Sequence, residues 1–424
     1  MRRSDSTNGP PPSSLVVEGF DPVRERGVEA VLAVGNGYIG TRAALEEHTP
    51  ASFPLTLVAG TYDPIRPSEE PPPVADAAPT PIAAPDWGAL RIWIDKEELR
   101  LDHGLCLRHE RWLDHDAGTT VRRWHHRLPC GRSVLATFTR LTSLTDRHGA
   151  LQQVTLLLPD RGAPVRLAAA LEVPSVVRQA TPYLTRPLLE PPHAALPATI
   201  VVRGTQSSIG VAVAQACTLA GDSALEALEG AGHSVDRSRD GLTEWWEWRA
   251  EAGITYRWSR MVAVHTSLDA GSAAVAAAVR LRPLSPSAVA EDHRVRWRER
   301  WEASAVEVDG DDLVHAALQT ANHHLLMAAN PADDTVSVAA RDLNGEIYRG
   351  HVMWDTEIYL LPFYSLSWPE AARAMLRYRH RHLPAAKARA RRSGYRGVLY
   401  PWESAGGAEG TVALDRDWKG NQTE

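Results

Sequence analysis

Residues 33–48 read AVGNGYIGTRAALEEH, and Gly35, Gly37 and Gly40 fit G-x-G-x-x-G, the turn that holds a dinucleotide pyrophosphate at a helix N-terminus. How this stretch folds decides the class of the N-terminal half. The local pattern allows a strand over Val28 to Val34 and a helix opening at Thr41 to Glu47, and Asp63 lies about 20 residues on, where a ribose-binding acid belongs. Against it, Pro50 and Pro54 stop that helix early, whereas a βαβ unit needs a full crossover helix. A lone glycine pattern is weak evidence for a nucleotide, so the surrounding chain has to decide.

The chain has 424 residues, enough for two or three domains with real cores. Its formal net charge is −6, with both signs spread along the sequence, which excludes the basic face that a nucleic-acid partner requires. The 3 cysteines, Cys106, Cys130 and Cys217, are too few and too scattered for a disulfide framework or a Cys-based zinc site, and the cytoplasm is the expected compartment. The first 14 residues, MRRSDSTNGPPPSS, lack the apolar core of a signal peptide and read as a disordered tail. No stretch approaches the roughly 20 apolar residues of a membrane span, so no membrane partner is expected; the longest candidate is GSAAVAAAV, Gly271 to Val279. Tryptophan stands out, 14 against 4 phenylalanines, and an indole suits sugar rings as well as cores.

From about Leu15 to Thr266 the period is two. RIWIDKEELRL (91–101), SVLATFTRLT (133–142), PVRLAAALEV (164–173) and IGVAVAQA (209–216) alternate apolar with polar or small residues, and LPCGR joins TVRRWHHR to SVLATFTR as a hairpin. Strands joined by short polar turns predict a large antiparallel sandwich. The proline-rich stretch Pro67 to Pro85 reads as an exposed loop or linker. After about Ser285 the pattern turns helical: SAVAEDHRVRWRERWEAS, then a helix from Asp312 with Leu313, Ala317, Ala321 and Leu325 on one stripe, ended by Asn330-Pro331. Ser367 reads as an N-cap with Pro369 near N1, Pro384 interrupts, and Gly394 fits C′.

The densest polar and aromatic segment is RDLNGEIYRGHVMWDTEIYLLPF, Arg341 to Phe363, which gathers Glu346, Tyr348, Arg349, His351, Trp354, Asp355 and Glu357. An indole to stack on a pyranose and carboxylates to accept paired hydroxyls are what a sugar site needs. The competing structural reading has Asp355 or Thr356 capping a helix that starts near Glu357, with Trp354 as a staple. GYRGVLYPWESAGGAEG (394–410) repeats the aromatic-carboxylate pattern with Trp402 and Glu403, and two such loops at one end of neighbouring hairpins would form one rim. Other clusters read as structure. His125 and His126 point to opposite faces of a strand, with no metal-binding spacing. The arginines of 373–392 wrap around a helix, and Trp245, Trp246 and Trp248 of TEWWEW cannot all face one ligand, so core and sheet-edge packing is expected for them.

Four segments in order, GNGYIGTRAALEE, YRGHVMWDTEIYLLPF, PEAARAMLRYRHRHLPAAKARA and GYRGVLYPWESA, resemble the hallmark segments of glycoside hydrolase family 65, the disaccharide phosphorylases and trehalases that act on α-glucosides such as maltose, kojibiose and trehalose. In that family the glycine motif belongs to the β-sandwich and binds no dinucleotide. The resemblance implies a multidomain β + α fold: after the tail, an N-terminal antiparallel β-super-sandwich (15–280), a helical linker (281–310) and the first part of an (α/α)6 catalytic barrel (311–424). It also implies inverting cleavage, in which a glutamic acid protonates the glycosidic oxygen while phosphate or water attacks the opposite face. Trp354 and Asp355 match the pair that holds the non-reducing glucose, and Trp402 and Glu403 match the later loop, so these four are the substrate-binding candidates. The small sugar is the partner, inorganic phosphate a co-substrate for a phosphorylase, no cofactor or metal is implied, and the full-length family suggests a homodimer.

The sequence departs from the family at Asn344 and Ile347, where small residues are expected, and GTVALDRDWKGNQTE (410–424) has no counterpart of the segments carrying the general acid and the phosphate site. The acid is expected beyond Glu424, no catalytic residue is assigned within the chain, and the chain alone is expected to be inactive. Asp355 with Glu403 is the one carboxylate pairing to consider, but both match binding positions. The alternative reading is a non-catalytic remnant or a carbohydrate-binding protein.

Overall fold

A computed structural model of the chain describes residue 10 and residues 14–63, 79–173, 188–190, 198–205, 207–221, 230–238, 241–269, 272–281 and 285–405. Period-two alternation produces two antiparallel sheets that share a core. Strands Leu105–Asp114, Thr119–Arg127, Ser133–Thr142, Gly149–Leu157, Thr255–Thr266 and Gly210–Gly221 lie side by side in a nine-stranded sheet. Strands Gly232–Ser238, Gly241–Ala250, Ala163–Glu172, Leu90–Ile94 and Glu97–Glu98 form a five-stranded one. Val165, Leu167 and Ala169 of the second sheet meet Trp124, Phe138, Val154 and Trp258 of the first. Helix Ala273–Arg280, which contains most of the alanine-rich stretch, packs Ala273 and Ala277 on the large sheet. No helix among the described residues is long and apolar enough to cross a membrane.

The glycine stretch settles against the nucleotide reading. Residues 25–31 are a helix rather than the tail of a strand, because Glu25, Val28 and Glu29 share one buried face. Arg111 donates two hydrogen bonds of 2.7 Å to the Glu25 carboxylate, and both Glu29 oxygens accept from the Phe53 amide. Val34–Gly35 and Ile39–Thr41 then form a tight antiparallel hairpin that continues into strand Thr56–Asp63, and no helix follows Gly40. The glycines serve close packing. A Cβ on Gly40 would lie 2.4 Å from Leu343 Cβ and 2.5 Å from Leu343 O, and one on Gly37, where φ is +76°, would lie 2.2 Å from Ala329 O.

Two further expectations need correction. Thr80–Ala84, inside the proline-rich stretch, is a buried strand rather than exposed loop. It sits at the edge of the four-stranded sheet, where Pro81, lacking an N–H, is tolerated opposite Tyr62. Ser367 ends helix Leu361–Ser367, its hydroxyl donating back to Phe363 O, and Trp368 takes the cap position of Pro369–Arg381. Residues 1–9, 67–78 and 410–424, on which the tail, most of the proline-rich loop and the C-terminal segment fall, lie outside the described residues.

The helices follow their sequence signals: Pro286–Glu302, Asp312–Ala328 with Asp311 Oδ1 accepting from the Leu313 and Val314 amides, Pro369–Arg381, and Leu383–Arg392 closed by Gly394 at φ +80°. Helix Asp312–Ala328 is turned against its own amphipathicity. Gln319, Asn322 and His323 are buried with Leu326 and Met327, while Leu313 is 77% and Val314 45% exposed and Leu318, Ala317 and Ala321 share their outward arc.

Its buried side joins an aromatic seam between strands and helices. Trp297 Nε1 donates to His115 O at 2.7 Å, the His115 ring stacks on Trp301 at 5.2 Å, and His323 lies 4.8 Å from the Trp297 ring. Gly118 O accepts from His293 Nε2, which leaves Nδ1 to accept the Leu144 amide, so this imidazole is neutral. Burial lowers His115 and His293 to about 4, from an ordinary 6.5, and holds His323 well below its usual value. The unfolded chain therefore takes up protons below pH 6.5 that the folded chain refuses until about pH 4, and stability falls with pH across that window. His115→Phe keeps the stacked ring and removes two buried nitrogens that have no hydrogen-bond partner among the described residues. The melting temperature of this variant is expected to decline less steeply than that of the wild type between pH 6.5 and 4; parallel declines would contradict the assignment.

Candidate functional site

The polar segment between helices Asp312–Ala328 and Leu361–Ser367 runs through a short turn at Ile347–Gly350, a strand at Val352–Met353 and a π turn at Thr356–Leu360. The strand pairs antiparallel with Glu403–Ser404, Val352 opposite Ser404 and Met353 opposite Glu403. One residue further along, the Trp354 amide donates to Trp402 O at 3.2 Å. This small ladder joins two segments about fifty residues apart and brings all four predicted binding residues to one place.

Within the ladder the four residues divide between its faces. Trp354 and Trp402 meet edge to face, ring centroids 4.7 Å apart, and Trp354 remains 40% exposed. Glu403 belongs to the opposite face by strand alternation, and there its Oε2 lies 3.2 Å from His351 Nδ1. His351 Nε2 donates to Pro79 O at 2.7 Å, because a carbonyl only accepts. Asp355 follows Trp354 at the head of the π turn and makes no capping hydrogen bond, while Thr356 Oγ1 donates to Val338 O. The capping reading of Asp355 and Thr356, with Trp354 as a staple, is thus replaced: neither side chain caps, and the indole is open to solvent.

Residues that sequence patterns did not single out hold the ladder in position. Arg379 donates to Met353 O at 2.9 Å and to Glu357 Oε2 at 2.8 Å, and Tyr378 shares a 2.7 Å hydrogen bond with Ser404 Oγ. Tyr400 OH donates to the Arg379 carbonyl at 2.9 Å. From the β region, Tyr62 OH donates to Gly350 O, and its ring stands edge-on to His351 at 5.9 Å. Nothing in the arginine-rich pattern of 373–392 distinguishes Arg379 from its neighbours. Asn344, the departure from the family pattern, is a clamp: its Nδ2 donates to Ala30 O at 2.6 Å, and its own carbonyl accepts from Arg42 at 3.0 Å. Ile347 is exposed.

The approach to the ladder is conformationally constrained. Arg341, Asp342, Tyr348 and Arg349 all have φ between +54° and +66°, a region that disfavours side chains. Burial raises the Asp342 carboxyl to about 7, against an opposing hydrogen bond from the Leu343 amide, and Oδ2 has no partner among the described residues. Elsewhere, His148, His265 and Asp269 converge within 4.8 Å. Arg147 donates to both His148 Nε2 and Asp269 Oδ1, so a fixed cation already occupies the ligand atoms a metal would use. Trp354 thus offers an open indole beside half-buried carboxyl groups, an arrangement chemically able to stack on an apolar ring face through the indole and to accept hydroxyl hydrogen bonds through the carboxylates.

Comparison with known proteins identifies the family of the chain. The family model "Glycosyl hydrolase family 65, N-terminal domain" matches residues 15–300, and "Glycosyl hydrolase family 65 central catalytic domain" matches 319–424. The chain is 29% identical over 401 residues to a kojibiose phosphorylase of Halothermothrix orenii, covering 91% of this chain and 49% of that protein. It is 27% identical over 403 residues to an alpha,alpha-trehalose phosphorylase of Thermoanaerobacter brockii, covering 90% and 51%. A solved structure of a provisionally assigned kojibiose phosphorylase from the human microbiome superposes with a TM-score of 0.80 at 21% identity, over 97% of this chain and 54% of that one. The chain spans about half the length of the curated relatives it matches. With one family model covering residues 15–300 and its partner model most of the remainder, the chain belongs to glycosyl hydrolase family 65.

Proposed function

We propose that the chain carries the glucose-holding part of an α-glucoside phosphorylase or hydrolase site, with Trp354 stacking on the sugar and Asp355 accepting its hydroxyls. Trp402 braces the Trp354 ring, and Glu403, tethered through His351, supports the rim. In this reading the two sheets are the core of a super-sandwich on residues 15–280, residues 281–310 link it onward, and the helices from 311 are the first hairpins of an (α/α)6 barrel. The outward apolar arc of helix Asp312–Ala328 supports the barrel, since such an arc is the surface on which neighbouring helices pack. Inorganic phosphate is the co-substrate of the phosphorylase form and water that of the hydrolase, and both would attack opposite the leaving group. The general acid is assigned neither to Asp355 nor to Glu403, whose Oε2 is engaged by His351. Cys106, Cys130 and Cys217 are all unpaired, which supports a reducing, cytoplasmic setting.

The observation that carries this reading is the ladder that joins Trp354 to Trp402 and Met353 to Glu403. Its test is a glucose titration followed by NMR or calorimetry on the wild type, Asp355→Ala and Trp354→Ala. Wild-type binding is expected in the millimolar range, about −4 kcal/mol. Asp355→Ala removes a charge-assisted hydrogen bond of about 1.5–3 kcal/mol, so affinity is expected to drop roughly tenfold or more. Trp354→Ala should weaken it several-fold through lost stacking of about 0.5–1.5 kcal/mol. Glucose binding untouched by both substitutions would refute the site.

A further inference from the structure

The tryptophan cluster 245–248 remains unexplained by the site above, and the structure separates its members. On strand Gly241–Ala250, Trp246 and Trp248 turn toward the core between the sheets, and Trp245 faces outward. There it meets Trp93 of strand Leu90–Ile94, ring centroids 5.7 Å apart and 34° from parallel. Between those two strands runs Ala163–Glu172. The register sets Trp93 opposite Arg166, Ala168 between Arg91 and Trp245, and Ala170 opposite Thr243, all on the outer face of the five-stranded sheet. Two alanines in the middle strand, walled by two indoles, leave a trough. It is a cavity of about 270 Å³, near the lower limit of the roughly 300–1,000 Å³ typical of ligand clefts.

We propose that this trough is a second carbohydrate site, on the β region, that takes one or two neutral gluco-configured pyranose units of an oligosaccharide. The indoles supply an apolar wall for the C–H face of a sugar. Trp245 is held ready: Nε1 donates to Asp236 at 2.9 Å, and the Arg166 guanidinium, which does not line the cavity, lies 3.8 Å over its ring. The polar rim presents Arg91 and Thr243 beside Glu98 and Glu172, with Arg100 held by Asp102 through hydrogen bonds of 2.8 and 2.6 Å, so donors and acceptors of both signs border the trough. A charged ligand would meet a like charge at that rim, whereas hydroxyl pairs match both signs. The far end is closed by His48, paired with Asp86 at 3.1 Å, and by Glu47, which Arg122 holds with hydrogen bonds of 2.6 and 2.8 Å. The trough shares no residue with the Trp354–Trp402 ladder, so each site stands or falls alone.

The test uses maltotriose as the probe, titrated into the full chain by calorimetry and saturation-transfer NMR. Millimolar binding is expected and, in the Trp354→Ala, Asp355→Ala background where the ladder site no longer contributes, it is weakened at least tenfold by Trp93→Ala with Trp245→Ala. Ala168→Leu, which keeps both indoles and fills the outward-facing floor, should abolish it in that same background. The Trp354→Ala, Asp355→Ala double variant should retain it. The proposal is overturned if wild type does not bind maltotriose at about 10 mM, if the trough variants bind as well as the background that carries them, or if only the Trp354 and Asp355 changes remove binding. That last outcome would leave the ladder site intact and dispose of this one.

Discussion

The close approach of the 35–40 hairpin to the helical region is the contact on which the rest of the molecule depends. Two backbones meet there with no room for a side chain: Gly37 against Ala329 and Asn330, Gly40 against Leu343. Polar groups lock the contact. Asn330 Nδ2 donates to Gly37 O at 3.1 Å, and Asn36 receives the Tyr38 and Ile39 amides on Oδ1 while its Nδ2 donates to Ser143 O and Arg147 O. Since the glycines lie under the end of helix Asp312–Ala328 and under the loop that leads to the ladder, this hairpin fixes where the candidate site begins. Asn344 to Ala30, Tyr62 to Gly350 and His351 to Pro79 extend the same attachment up to Glu403. The site is built on the helical side and aimed by the β side.

Buried charge reinforces the arrangement. The GTRAALEEH segment has the composition of an exposed helix start, yet Arg42, Glu46 and Glu47 are all enclosed. Burial alone would push the Glu46 carboxyl up, but Arg140 and Arg122 outweigh it and hold Glu46 near 2. Removing one partner of such a cluster strands an uncompensated buried charge, which is why these pairs act as locks even where their net contribution is small.

Alternation makes strands such as Ser133–Thr142 and Gly210–Gly221 legible, and helix signals such as Pro369 and Gly394 can be read directly because each acts through its own neighbours. What local patterns could not convey was partnership across the chain. The glycines fitted a phosphate turn because close approach to a phosphate and close approach to Leu343 make the same demand on a backbone. Thr80–Ala84 became a strand because the edge of a sheet excuses a proline, and edge position is not written in five residues. At the candidate site, the aromatic and carboxyl residues were legible as types. The ladder that sorts Trp402 from Glu403, and the roles of Arg379, His351 and Tyr62, arise only when segments distant in sequence pair. TEWWEW was rightly denied a single shared ligand, but Trp93, the partner of Trp245, lies some 150 residues away.

The most direct measurement of the central claim compares the melting of Gly40→Ala with that of Gly27→Ala. Gly27 lies exposed in helix Glu25–Val31 with nothing within 4 Å of an added Cβ, so alanine should stabilise by roughly 0.5–1 kcal/mol. At Gly40 the same methyl meets the Leu343 backbone and should destabilise by about 1–3 kcal/mol or more, with altered NMR signals at both Leu343 and Trp354. Opposite signs are predicted; a Gly40→Ala protein as stable as the wild type, with Trp354 undisturbed, would contradict the account.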